Sequence, residues 1–308
     1  MKKIILSALI TMLVISCQNS SSSETGTDEE GKPQIVCTTG MLGDMVQHLM
    51  GDSAEVKVLM GPGVDPHLYK ATQGDIRLLT DAQAIVYNGL HLEGKMGSIF
   101  DKLQKQKAVI AAGDMVSPGR LINSTSFAGA HDPHIWFDVS IWIEAMDGVS
   151  RELQKLYPDW KNYIQKNQMA YRQELEELHN FCISKIRSIP DSQRVMITAH
   201  DAFKYFGRAY NMEVRGLQGI STTAEYGLQD VTELVNYISS KKIKALFVES
   251  SVPKRSIEAV IEGCQGKEHP VQLGGELFSD AMGSAGTPEG TYTGMVRHNV
   301  NTIVNALR

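Results

Sequence analysis

Between Pro158 and Pro190 the apolar residues Trp160, Tyr163/Ile164, Tyr171, Leu175, Leu178, Cys182 and Ile186 recur at steps of three, four and seven, or nearly so. A single stripe at helical spacing predicts one long helix, bounded by prolines that cannot continue it. About thirty residues at 1.5 Å each would span some 45 Å. Two helices with a break between them would give the same stripe. A helix that long is better suited to bracing two domains than to filling one.

The flanking sequence alternates between strand-like and helix-like runs on both sides of this stripe. Strand-like runs fall at 35–39, 55–60, 84–87 and 108–111, with helical spacing at 41–50, 75–82 and 95–104 and a further helix at 140–155. After Pro190 the strand runs are 195–198, 213–216, 245–248 and 271–273, and the helical ones 202–210, 228–240, 254–264 and 290–307. This order predicts an α/β fold of two lobes, each a parallel sheet flanked by helices, joined by one long rigid helix. The expected divisions are an N-terminal lobe over 34–156, the linking helix over 157–190 and a C-terminal lobe over 191–308. The repetition is one of architecture, without a residue-by-residue repeat.

Residues 1–16 stand apart from this pattern. Lys2 and Lys3 precede an apolar run to Ile15, a charged start and short apolar core that read as an export signal, too short for a convincing membrane span. Val14-Ile15-Ser16-Cys17 looks like a bacterial lipobox, implying cleavage before Cys17 and lipid on its thiol; a plain secreted protein is the alternative. Residues 17–33 are rich in serine, then acidic, and read as a flexible tether. Cys37, Cys182 and Cys264 are an odd set outside the cytoplasm, with no metal-binding spacing, and are expected to be buried free thiols. The net charge is −5 and no long basic stripe is present, which argues against nucleic acid as a partner.

The chemistry-bearing motif is a tripeptide that occurs twice, Asp65-Pro66-His67 and Asp132-Pro133-His134, each followed two residues later by an aromatic, Tyr69 and Trp136. Proline fixes its own φ and keeps the preceding residue out of the helical region, so each histidine sits on a stiff, non-helical turn. Two ordinary loops sharing three residues would look the same, but both tripeptides follow strands of one half. Ligands of open α/β sheets bind beyond the carboxyl ends of the strands. At that edge His67 follows the second strand and His134 the fourth; His200 follows the first strand of the second half and Asp280 the last. If the two sheets face one cleft, three imidazoles and one carboxylate can meet there. Such a set suits Zn²⁺ in tetrahedral geometry, or Mn²⁺ with Asp280 bidentate.

The other candidates carry weaker signals. His91 also follows a strand and is either a residue behind the ligands or part of a surface loop; His131 is an accessory candidate. His48, His179, His269 and His298 lie away from strand ends and are expected to be structural. Asp65, Asp132 and Asp201 are placed to hold the free ring nitrogens of neighbouring histidines. Glu249, at a strand end, is expected to make buried hydrogen bonds.

The two tripeptides, Ala199-His200-Asp201-Ala202-Phe203 with Tyr205-Phe206, the run 216–222 and Gly274-Gly275-Glu276-Leu277-Phe278-Ser279-Asp280 together make the chain resemble the metal-specific solute-binding proteins of bacterial ABC importers, in particular the TroA-like group for zinc and manganese. The resemblance covers residues 34–308 and implies two α/β lobes on one rigid helix, with the metal held in the cleft by His67, His134, His200 and Asp280. Manganese-dedicated relatives usually have Glu where this chain has His200, which favours zinc or mixed use. Zinc-dedicated relatives often carry a His- and acid-rich loop where residues 113–130 here have no histidine and only Asp114 as an acid, which argues against the high-capacity zinc type. The expectation is a monomeric, lipid-anchored protein, periplasmic or on the outer face of the cell membrane. It would capture Zn²⁺ or Mn²⁺ and pass it to an ABC permease and its ATPase, without catalysis. The alternatives are a zinc-dependent hydrolase using Asp280 as general base and a surface adhesin.

Overall fold

The structure is a computed structural model that describes residues 31–124 and 129–308; the export signal, Cys17 and residues 18–30 of the tether lie outside the described residues. In the first half, β1 (Gln34–Cys37), β2 (Glu55–Val58), β3 (Ala84–Tyr87) and β4 (Ala108–Ala111) form one sheet in the order β2-β1-β3-β4, parallel throughout. The helices α1 (Gly40–Met50), α2 (Gln73–Asp81) and α3 (Gly97–Leu103) follow the first three strands. Thr72 and Asp75 start α2 through a reciprocal capping box that satisfies two otherwise unpaired N–H groups.

In the second half, β5 (Val195–His200) pairs in parallel with β6 (Glu213–Gln218), and β7 (Ala245–Glu249) with β8 (Gln272–Leu277). β5 runs beside β7. The spatial order of the first sheet therefore recurs. The accompanying helices are α6 (Lys204–Tyr210), α7 (Leu228–Lys241), α8 (Arg255–Gln265) and α9 (Tyr292–Leu307), and two further helices lie in sequence between β4 and β5. Of those, α4 (Val139–Leu156) is capped by Asp138, whose side chain accepts the N–H groups of Ser140 and Ile141. The other, α5 (Lys161–Arg187), is the expected long helix, unbroken over 27 residues and about 40 Å long. It is shorter than its stripe because Pro158–Trp160 form a separate 3-10 turn.

Strand alternation explains how one core serves both halves. Ile35, Cys37, Ala84 and Val86 point from the first sheet into a common core with Met196, Ala245 and Phe247 from the second half and Leu175, Leu178 and Cys182 from α5. Their neighbours Val36 and Ile85 point the other way, to an outer core of the first half. Ile197, Leu246 and Val248 do the same in the second half. Side chains one residue apart on a strand face opposite sides, so both sheets are covered twice, as parallel sheets require. The helix α5 packs on α1 and α4 from one half and on α6 and α9 from the other. Cys37, Cys182 and Cys264 are free and buried, as expected.

Candidate metal centre

All four anticipated residues converge. One ligand atom from each of His67, His134, His200 and Asp280 lies within 4.8 Å of the others, and all four side chains are buried. The turn after β2 supplies His67. Asp65 Oδ1 shapes it by accepting the backbone N–H groups of His67 (2.8 Å) and Leu68 (3.4 Å). Asp132 Oδ1 does the same for His134 N–H at 3.0 Å, and lies 2.7 Å from the ring Nδ1. A carboxylate only accepts, so the proton sits on Nδ1 and Nε2 of the neutral ring offers its lone pair to the cluster.

His200 is the last residue of β5. Its N–H donates to Glu249 Oε1 at 2.9 Å, and its Nδ1 lies 2.6 Å from Glu249 Oε2 at the end of β7. Gly216 on β6 lets this strand end pack closely, since a Cβ there would stand 2.3 Å from the Asp201 nitrogen. Asp280 sits on the turn after β8. Asn299 of α9 clamps that turn, accepting Phe278 N–H at 2.9 Å and donating to Phe278 O at 2.7 Å.

The separations suit a small ion. His67 Nε2 and His134 Nε2 are 3.3 Å apart; Asp280 Oδ1 is 3.4 Å from His134 Nε2, and Oδ2 is 3.3 Å from His200 Nε2 and 3.7 Å from His67 Nε2. Ligands about 2.0–2.2 Å from a tetrahedral ion stand roughly 3.3–3.6 Å from one another. Both oxygens of Asp280 and Nε2 of His200 are buried without a hydrogen-bond partner. Orphaned polar atoms of this kind cost stability unless a ligand meets them.

The charges are arranged to match. Burial pushes Asp280 up, but His200 and His134 outweigh it and hold the carboxyl well below the usual range. Burial pushes His67 down to about 3, with Asp280 opposing only in part. Burial also disfavours the charged form of His134, but Asp132 and then Asp280 overcome it and bring the ring up to about 9. His200 is likewise raised, by Glu249 first and Asp280 next, against its burial. The central carboxylate and the imidazoles of His134 and His200 thus favour one another's charged forms.

Other expectations fare unevenly. Asp132 holds a ring nitrogen, but Asp201 pairs with Lys204 at 2.7 Å and Glu249 takes the place beside His200. Asp65 holds main chain, and its Oδ2 accepts from Thr222 Oγ1 at 2.6 Å. His91 is exposed and His131 half-buried; both line a cavity of about 390 Å³ that reaches His67. His48, His179, His269 and His298 bond or stack elsewhere. Sequence reasoning missed Glu93. This buried carboxylate accepts from Thr38 Oγ1 (2.6 Å) and Asn88 N–H (2.8 Å), and Asn88 Nδ2 in turn donates to the Pro133 carbonyl at 3.0 Å. Its one signal was a lone acid in the turn that follows β3.

Two parallel-sheet units on one long helix thus place a buried three-histidine, one-aspartate cluster, a donor set suited to a divalent metal ion, at the strand ends. The model of the ZnuA family, zinc-uptake complex component A, periplasmic, matches residues 35–306, and the chain belongs to this family. It is 46% identical over 288 residues to the manganese-binding lipoprotein MntA of Bacillus subtilis, covering 92% of this chain and 94% of that protein. It is 47% identical over 278 residues to the zinc-binding protein TroA of Treponema pallidum, covering 90% of each. The solved periplasmic zinc-binding protein TroA of T. pallidum superposes with a TM-score of 0.88 over 90% of this chain and 99% of that one.

Proposed function

We propose that this protein is a lipid-anchored solute-binding protein that captures a divalent transition metal, Zn²⁺ or Mn²⁺, outside the cytoplasmic membrane. It hands the ion to an ABC permease driven by its ATPase. His67, His134, His200 and Asp280 hold the ion, with Asp132 and Glu249 orienting two of the imidazoles. The observation that carries this reading is the set of ligand atoms within 4.8 Å of one another, with Asp280 otherwise unpartnered. The family and its zinc- and manganese-binding relatives support it. The lobes are residues 34–156 and 191–308, braced by 157–190, and the protein acts as a monomer. Cys17 carries the lipid.

The protein is a carrier and performs no catalysis. A zinc hydrolase needs an open metal position and a base beside it. Here both oxygens of Asp280 face imidazole nitrogens, which suits a ligand and leaves neither of its oxygens free to act as base. Titration of metal-stripped protein with Zn²⁺ and with Mn²⁺ should each reveal one tight site. An unweakened site in His67→Ala would sink the assignment. Direct competition between the two ions, analysed by metal content, identifies the cargo, because Zn²⁺ outcompetes Mn²⁺ at most nitrogen and oxygen sites. Loss of labelling by a radiolabelled fatty acid in Cys17→Ser tests the anchor.

A further inference from the structure

The four residues of the centre are not tied into the fold in the same way. The His134 turn is fastened to the second half by buried hydrogen bonds on both sides of the histidine. Tyr205 donates its hydroxyl hydrogen to Asp132 O at 2.9 Å. Trp136 Nε1 donates to Ser279 O at 3.0 Å, next to Asp280, and Tyr292 donates to Trp136 O at 2.7 Å. Glu249 fixes His200 to its own sheet. His134, His200 and Asp280 therefore stand on one buried, hydrogen-bonded unit that already spans both halves.

His67 stands outside that unit. Its turn is anchored in its own half, through Lys95 Nζ to Leu68 O (3.3 Å) and Tyr69 to Asp75 (2.8 Å). Among the described residues, one hydrogen bond joins this turn to the second half, from Thr222 Oγ1 to Asp65 Oδ2 at 2.6 Å. Asp65 is the residue whose other oxygen holds the His67 N–H. The cavity supplies a second, separate observation. Of the four residues, His67 is the one that lines it, while His134, His200 and Asp280 lie behind. Its far wall includes Ile220, Ser221 and Thr223, which flank Thr222.

We propose that the His67 turn is the gate of the metal centre: the ion enters and leaves through this cavity past His67, and the Thr222–Asp65 hydrogen bond is the latch that holds the gate shut. Thr222 is thus a positioning residue that acts through Asp65, without touching the ion. The inference rests on the metal-binding reading above. An ion that leaves must break its bond to the ligand best able to move, and a ligand held to the opposite half by one partly exposed hydrogen bond moves more easily than three held in a buried network. Loosening the latch lowers the barrier in both directions. It changes the two rates more than it changes their ratio.

The test is stopped-flow kinetics on the full folded chain, with Zn²⁺ loading followed directly and release followed by transfer to an excess of chelator. Thr222→Val, which removes the hydroxyl at nearly constant volume, should speed release about tenfold, the effect of losing one charge-assisted hydrogen bond, and should speed loading as well. Thr222→Ser restores the donor and should return both rates to those of the wild type. Ala130→Trp, at a half-buried position in the wall of the cavity, should slow both rates while leaving their ratio within a few-fold. Wild-type rates in Thr222→Val overturn the latch, and unchanged rates in Ala130→Trp overturn the path. A wild-type chain that takes up neither Zn²⁺ nor Mn²⁺ overturns the metal-binding reading itself, so the failures can be told apart.

Discussion

The tripeptide Asp-Pro-His occurs twice in this chain, and the two copies make the same turn for different ends. In both, the aspartate Oδ1 accepts the N–H of the histidine two residues on, at 2.8 Å for His67 and 3.0 Å for His134. That is a local Asx-type bond, and local sequence suffices to make it. The rest of each aspartate is assigned by its surroundings. Asp132 is fully buried and turns to its own histidine's ring at 2.7 Å. Asp65 is more accessible and reaches across to Thr222. One motif therefore builds a stiff, charged post in one place and a latched arm in the other. A repeated motif guarantees equal backbone shape and no more than that.

The sharpest way to break this comparison is to remove each histidine. His134→Ala and His67→Ala should each weaken metal binding by more than the 10–100-fold typical of losing an outer partner, read by competition with a chelating dye. Their effects on the metal-free protein should differ. His134→Ala leaves Asp132 buried without its ring partner, and breaking such pairs costs about 3–5 kcal/mol; the surviving backbone bond puts the loss near 3. His67→Ala leaves every bond of Asp65 intact and should cost about 1 kcal/mol, near the average for a point substitution. Equal losses in thermal unfolding would contradict the distinction between post and arm. Next in size are the aspartates. Asp132→Asn should cost about 10–100-fold in affinity. Asp65→Asn keeps a side-chain carbonyl for the turn and should cost only a few-fold.

Titration separates the two histidines by sign. His134 is raised from about 6.5 to about 9 in the folded metal-free protein, against burial, chiefly by Asp132. A group raised on folding adds stability that is complete below its unfolded value, so this contribution fades as pH climbs from about 6.5 through 9. Burial lowers His67 to about 3, so its environment favours the neutral ring; that stability is complete above about 6.5 and fades as pH falls toward 3. At neutral pH the ion must displace a proton from His134 and none from His67. Calorimetry of metal binding in buffers of different ionisation heat should register released protons, fewer of them in Asp132→Asn. An unchanged proton count in that variant would mean that Asp132 does not set the charge of the ring.

The strands, the long helix and the four converging residues were legible because each leaves a local or periodic trace. Strand ends gather the site, so locating strands located His67, His134, His200 and Asp280. The partners behind the ligands were legible only where they were also local. Asp132 lies two residues from its histidine and was anticipated. Asp201 was expected beside His200 and is not there, because neighbours at a strand end point to opposite faces. Glu249, expected to make buried hydrogen bonds but not matched to a histidine, fills that place from β7, 49 residues away, through a sheet neighbour that no spacing in the chain reveals. Thr222 and Asp65 are likewise 157 residues apart. The helix bounds differed for a reason that could be read, since Pro158 begins a 3-10 turn that delays α5 to Lys161.

The smallest expected effect belongs to Tyr69, one of the two aromatics that each stand two residues beyond a histidine. Trp136 carries the repeat across the molecule, its Nε1 donating to Ser279 O while its ring lies 5.3 Å from that of His134. Tyr69 keeps within its own half, donating to Asp75, a carboxylate that Thr72 also satisfies at 2.7 and 2.8 Å. Trp136→Phe removes a buried donor, leaves Ser279 O unpaired and opens space, which together cost about 2–4 kcal/mol. It also uncouples the His134 and Asp280 turns, so affinity should fall about tenfold, a loss of roughly 1.4 kcal/mol. Tyr69→Phe should cost no more than about 1 kcal/mol of stability, because Asp75 keeps its other donors. Metal affinity there should stay within about threefold, well under 1 kcal/mol. Chemical denaturation and metal competition on the two variants side by side provide the check. If Tyr69→Phe weakens metal binding as much as Trp136→Phe does, the His67 turn is held as firmly as its counterpart, and the contrast between the two copies of the motif fails.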